Sequence, residues 1–211
     1  DVLAQQASSA VVRRMLMDAE GLEANGRYQA ALGLSRSLFP LLLATLSQET
    51  YPRMAAAATP ALLAAEVTRS FRAGLVACGP LILLVCAAPG LLLRLFYAPE
   101  FATAAPVLRW QLFAEWLYIP IWAAVAGWSA QGNLRPVAVV ALVAAGSHVL
   151  LTSLGVGSLG AIAPAVAHAG SYAVVGLVIA GWRRGLPIAD PIGLALHAAG
   201  AGVLALGLWL P

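Results

Sequence analysis

Arg36 stands about ten residues inside an apolar stretch that runs from Gly26 to Tyr51. At the centre of a bilayer an arginine costs at least about 2.5 kcal/mol on insertion scales, so it faces a water-filled cavity or a partner. It does not stand alone. Gln29, Gly33, Arg36, Pro40 and Ser47 recur at steps of three, four or seven, and Gln111, Glu115, Tyr118, Trp122 and Ser129 form a second such series. Helical geometry gathers each series on one side of its helix. A lipid-facing stripe would not hold Arg, Glu and Gln, so both series point to protein or water. Arg, Gln and aromatic groups together suit an anion with sugars attached. The guanidinium fork binds phosphate oxygens in pairs, and Tyr or Trp faces stack on sugar rings. The alternative is an internal ion pair of Arg36 with Glu115 that fixes helix register.

Composition requires a membrane. The chain is 61% hydrophobic and 10% charged, with a mean hydropathy of +0.86. Several stretches reach the roughly 20 residues that span a hydrocarbon core. Continuous Ala/Leu-rich runs argue against a β-barrel, whose strands alternate. The basic residues are all arginine, and a net charge of +3 spread over the chain gives no nucleic-acid surface.

Seven helical segments are expected. The first ends near Ala19 and carries Gln5, Gln6, Ser9 and Arg13 near one stripe. A connecting loop, Arg13 to Gly26, leads to the second, 26–51. An Ala-rich linker with Pro60 leads to the third, 66–97, interrupted at Pro80 and Pro89. The others are 102–130, 136–155, 159–182 and 191–210, the last entered by Asp190-Pro191, an N-cap and N1 pairing. The fold class is therefore all-α, a polytopic bundle of about six to seven transmembrane helices. Of the two sets of alternate loops, the one holding Arg53, Arg69, Arg72, Arg135, Arg183 and Arg184 is the better cytoplasmic candidate. The other includes Arg13–Gly26 and Phe96–Phe101, where Phe96, Tyr97 and Phe101 suit an interfacial belt.

Other residues give less. Cys78 and Cys86 read as packing residues in one apolar helix. His148 and His168 fall mid-helix, where a histidine is either a proton relay or a packed, hydrogen-bonded group. Trp110, Trp116, Trp122 and Trp128 recur every six residues, a step that leaves any one helix face, and are expected as interfacial anchors. Gly170 with Gly176 and Gly200 with Gly207 suit close helix packing. No hydrolase, transferase, phosphate-loop or metal-ligand spacing appears, so neither an enzyme, a cofactor nor a metal is expected. Both ends read as cut within helices, as in a piece of a larger membrane protein.

Three stretches carry a family resemblance. Gly26-Arg27-Tyr28-Gln29-Ala30-Ala31-Leu32-Gly33-Leu34-Ser35-Arg36-Ser37, followed by Tyr51-Pro52-Arg53-Met54, resembles the G-x-Y-x-A stretch of polysaccharide flippases. Leu95-Phe96-Tyr97-Ala98-Pro99-Glu100-Phe101 through Ala105-Pro106-Val107-Leu108-Arg109 is similar to their turn of Phe or Tyr, an acid, Phe and a later Arg or Gln. Trp110-Gln111-Leu112-Phe113-Ala114-Glu115 through Gln131-Gly132-Asn133 resembles the next helix of O-antigen flippases. These belong to the multidrug/oligosaccharidyl-lipid/polysaccharide exporter superfamily, and the likeness covers about 15–155.

The resemblance implies one lobe of a two-lobe transporter. Residues 1–183 would be the C-terminal six-helix lobe and 184–211 an additional C-terminal helix, with the N-terminal lobe of the same chain as partner. It implies flipping of an undecaprenyl-diphosphate-linked oligosaccharide across the bacterial inner membrane by alternating access. The residues expected to line the cavity are Arg36, Gln29, Arg13, Gln111, Glu115, Tyr118 and Trp122. Rival readings are a multidrug exporter of the same superfamily, which would prefer acids in its cavity, and a membrane enzyme of envelope polysaccharide assembly, which would want a large polar loop.

Overall fold

The computed structural model describes residues 2–181 and 191–208. They are almost wholly helical. α1 runs over Val2–Ala55, α2 over Pro60–Ala87, α3 over Pro89–Phe96, α4 over Ala105–Ala130, α5 over Leu134–Leu159, α6 over Ala163–Gly181 and α7 over Pro191–Leu208. Short 3₁₀ turns at Pro99–Ala104 and Gly160–Ile162 join α3 to α4 and α5 to α6.

No loop separates the first two predicted helices. One residue, Gly21, breaks α1 with φ 83° and ψ −177°, a backbone region open essentially to glycine alone. The chain doubles back there. Gln6 and Arg36, each fifteen residues from Gly21, line one cleft, and so do Arg13 and Gln29, each eight residues from it. α1 is thus a hairpin of two arms, and the Arg13–Gly26 loop expected from the polar residues Asp18, Glu20, Glu23 and Asn25 is corrected to a single-residue reversal. Asp18, Glu20 and Glu23 stay on exposed helix, and Asn25 is half-buried. Arg14 pairs with Asp18 at 2.9 Å, and Arg27 pairs with Glu23.

α2 starts six residues earlier than expected. The Thr59 hydroxyl accepts a hydrogen bond from the Leu62 N–H at 3.3 Å, and Pro60 occupies the first turn, where its missing N–H costs nothing. Arg69 and Arg72, expected in the first turn of this helix, lie about two turns inside it. The expected interruption at Pro89 is present: Ala88 leaves helical geometry (φ −138°, ψ 52°) and Pro89 opens α3. Pro80 stays inside α2, as Pro40 does in α1 and Pro120 in α4. Asp190 and the Arg183–Asp190 loop lie outside the described residues.

α4 is the central element, packed against α1, α2, α6 and α7. Three of its four tryptophans are core residues rather than interfacial anchors; Trp110 is half-buried. Trp116, Trp122 and Trp128 are buried. Trp122 and Ile119 lie over Gly74, and Trp116 lies over Gly79 and Gly200, so glycines on α2 and α7 make room for α4. A Cβ at Gly170 would stand 2.9 Å from Leu151, so α5 and α6 approach in the same way, whereas one at Gly176 would meet nothing within 4 Å.

The bundle has two distinct ends. At one, the α1 reversal meets the turn before α4, since Leu22, Glu23, Gly26 and Arg27 share a pocket with Glu100 and Phe101. At the other, Gln131 Nε2 donates to the Met54 carbonyl at 2.7 Å, and the Tyr51 hydroxyl donates to the Ser129 carbonyl at 3.2 Å. The exterior is apolar: Leu84, Leu154 and Leu177 are 68%, 72% and 74% exposed. Leu3–Ala55, Pro60–Ala87 and Leu134–Gly181 are long and apolar enough to cross a membrane. An apolar exterior of this extent suits a lipid solvent.

Candidate functional site

The two arms of α1 diverge around a polar cleft. One part, about 430 Å³, is lined by Gln6, Ser9, Ala10 and Arg13 of the first arm and by Gln29 and Arg36 of the second. The other, about 350 Å³, is lined by Gln5, Gln6, Arg36 and Pro40 of α1, Glu115 and Tyr118 of α4, and His168 and Tyr172 of α6. Gln6 and Arg36 belong to both, so the two volumes adjoin at these side chains.

Helical spacing explains the convergence. Gln29 and Arg36 are seven residues apart, two turns on one face. Glu115 and Tyr118, and His168 and Tyr172, are neighbours at three and four. The first arm brings Gln6, Ser9 and Arg13 to the same face. Arg13 is tied down locally, its Nε donating to the Ser9 carbonyl at 3.2 Å.

Arg36 and Glu115 share the cleft without pairing. Arg36 has no ion pair among the described residues, Glu115 included, whereas Arg14, Arg27, Arg53 and Arg69 each meet an acid one turn away. Glu115 Oε1 instead accepts a hydrogen bond from the Ser35 hydroxyl at 2.9 Å. Register between α1 and α4 is therefore held by Ser35 and Glu115, and the Arg36 guanidinium is left facing the cleft.

A second polar group backs the cleft wall. His168 Nδ1 lies 2.8 Å from Gln111 Oε1. His148 on α5 stacks on His168 with ring centroids 5.0 Å apart and lies 3.1 Å, through Nε2, from the Pro164 carbonyl. Tyr172 packs beside His168 at 4.7 Å and stacks on Tyr118 at 5.0 Å. Tyr28 Oη, Gln29 Nε2 and Gln111 Nε2 are buried polar atoms without a hydrogen-bond partner.

Of the seven expected residues, Arg36, Gln29, Arg13, Glu115 and Tyr118 line the cleft. Gln111 does not: it is fully buried behind His168. Trp122 does not either. It is buried against Gly74, and its Nε1 donates to the Ser47 hydroxyl at 3.1 Å, which ties α4 to α1 well below the cleft. Gln5, Gln6, Ser9, His168 and Tyr172 line the cleft as well. The polar stripe on the first arm already marked the first three. His168 and Tyr172, one turn apart in an Ala/Gly-rich helix, were the available sign for the other two.

No family model, no characterised protein and no solved structure matches the chain. Among the described residues no three His, Cys, Asp or Glu side chains gather where they could hold a metal ion.

Proposed function

We propose that the chain is a lobe of a membrane transporter that flips an undecaprenyl-diphosphate-linked oligosaccharide across the inner membrane of a bacterium by alternating access. The observation that carries this reading is Arg36, which faces a polar cleft between the arms of α1 and has no acid partner among the described residues. A guanidinium so placed within an apolar bundle is suited to an anion that enters the cleft. Arg13 and the amides of Gln6 and Gln29 add donors on the same wall, and a diphosphate offers oxygens to several of them at once. Tyr118 and Tyr172 supply flat faces for sugars. A second lobe of the same chain would close the cleft on its open side.

The test measures surface glycan and membrane protein level together in the host that encodes the chain. Arg36→Ala is expected to abolish export while the protein stays in the membrane, and Arg36→Lys to keep part of it. Full export by a stably inserted Arg36→Ala protein would end the reading. Glu115 beside Tyr118 and Tyr172 favours one second reading, export of a cationic apolar compound, since a carboxyl flanked by aromatic rings suits a cation. In that case Glu115→Gln, rather than Arg36→Ala, abolishes transport, and the substrate lost is a drug rather than a glycan.

A further inference from the structure

The His148–His168 pair is more than packing. The Pro164 carbonyl can only accept, so His148 Nε2 carries the hydrogen and donates it at 3.1 Å. That leaves His148 Nδ1 as a lone pair. With the Gln111 amide oxygen toward the ring, His168 Nδ1–H donates at 2.8 Å, and its Nε2 is the lone pair. Each neutral ring thus keeps one nitrogen able to take a proton. The rings lie face to face, 5.0 Å apart at 25°. Lone pairs lie in the ring planes, so those of stacked rings do not converge on one metal ion.

His168 lines the cleft that Arg36 and Glu115 also line, and it borders a smaller cavity of about 60 Å³ between α1, α4, α5 and α6. The charged and titratable groups around the pair are Arg36 and Tyr28 from α1, Glu115 and Tyr118 from α4, and Tyr172 from α6. Two cations this close would repel, so the pair holds one proton at most. That proton would put a positive charge on the wall facing the Arg36 volume, and an anion there would attract both.

We propose that the His148–His168 pair is a proton-binding site linked to the Arg36 cleft, such that an anion in the cleft and a proton on the pair each tighten the other's binding. Linkage of this kind is reciprocal. The anion brings the proton on, and loss of the proton loosens the anion. A proton gradient across the membrane would then bias where the anion is released. The inference deepens the transporter reading and rests on it only for the identity of the anion.

The experiment uses the full-length protein, purified into lipid nanodiscs with ¹⁵N-labelled histidine. The chain has three histidines, so His148→Gln, His168→Gln and His197→Gln assign the ring signals. The expected result has three parts. The neutral tautomers are Nε2–H at His148 and Nδ1–H at His168. One proton enters the pair on acidification, and a second does not follow it. Inorganic pyrophosphate raises the proton affinity of the pair about fivefold or more, the low end of measured coupling between sites, and Arg36→Ala removes that rise. Different tautomers, or no proton uptake before the protein unfolds in acid, would overturn the assignment. So would calorimetric binding of pyrophosphate that leaves the proton affinity unchanged. Should pyrophosphate fail to bind, the linkage fails with it, and glycan export by Arg36→Ala decides separately whether the transporter reading survives.

Discussion

Replacement of Gly200 by alanine is expected to lift α7 from the bundle. A Cβ built at Gly200 collides with the Trp116 ring, standing 2.6 Å from Cη2 and 2.9 Å from Cε2. Ring atom Cζ2 is nearer still; carbon contacts settle near 3.5–4.0 Å, so the ring or the helix must move by about 1.5–2 Å. The ring cannot yield cheaply. Its Nε1 donates to the His197 carbonyl at 2.9 Å, its face stacks on the His197 ring at 5.4 Å, and its far edge lies over Gly79, where a Cβ would stand 3.2 Å away. Overpacking of this kind costs about 1–3 kcal/mol, and a stretched hydrogen bond adds about 1 kcal/mol. The helix propensity of alanine returns up to about 1 kcal/mol. The net expectation is a loss of about 1–3 kcal/mol. Gly202→Ala on the same helix is the control, because a Cβ there meets nothing within 4 Å. Thermal unfolding in detergent reads the stability. Maleimide labelling of Cys86 reads the position of α7, since Gly207 covers the thiol, with 3.9 Å from its built Cβ to Sγ, while Cys78 stays buried. Gly200→Ala should unfold at lower temperature and label faster at Cys86 than Gly202→Ala. Equal stability and equal labelling for the two variants would refute the packing of α7 on Trp116.

Other expectations follow from single contacts. Gly21→Ala should cost about 1–3 kcal/mol of stability from backbone strain alone, because the added methyl meets nothing within 4 Å; chemical unfolding measures it, and an unchanged midpoint would mean that α1 does not reverse at that residue. Ser35→Ala leaves Glu115 Oε1 without its donor and should destabilise by about 1–3 kcal/mol, whereas Ser35→Thr, which keeps the hydroxyl, should lose less. Trp122→Phe and Ser47→Ala break the same 3.1 Å hydrogen bond, so each should cost about 1 kcal/mol and the double variant less than their sum; full additivity in a double-mutant cycle would deny the contact. Single cysteines at Asn25 and Pro99, in a background without Cys78 and Cys86, should label from one side of the membrane and one at Gly132 from the other, because the first two lie at the same end of the bundle; labelling of all three from one side would contradict the arrangement.

Helix content and the polar faces were legible because both follow from local rules. Apolar runs of membrane-spanning length and steps of three, four and seven placed Gln29, Arg36, Glu115 and Tyr118 on inward faces. Periodicity names a face but not what lies across from it. Gln111 shares the stripe of Glu115, yet its neighbour is His168, which removes it from the cleft. The six-residue spacing of the tryptophans carried no facial signal, and the burial of Trp116 and Trp122 depends on glycines at Gly74, Gly79 and Gly200 that belong to other helices. The α1 reversal was hidden for a different reason. Charged residues on both sides of Gly21 read as loop, whereas a glycine with positive φ needs no loop to turn a helix back.

That reversal gives the cleft a mechanical property. Arg36 and Gln6 face each other near the open end of two stiff rods that share one pivot. At 1.5 Å per residue each rod is roughly 22 Å long from Gly21 to that point. A change of about 10° between the rods would alter the gap between Gln6 and Arg36 by roughly 4 Å, more than the length of a hydrogen bond, while residues beside the pivot scarcely move. The width of the cleft where the guanidinium sits is thus governed, through a long lever, by two torsion angles at its far end.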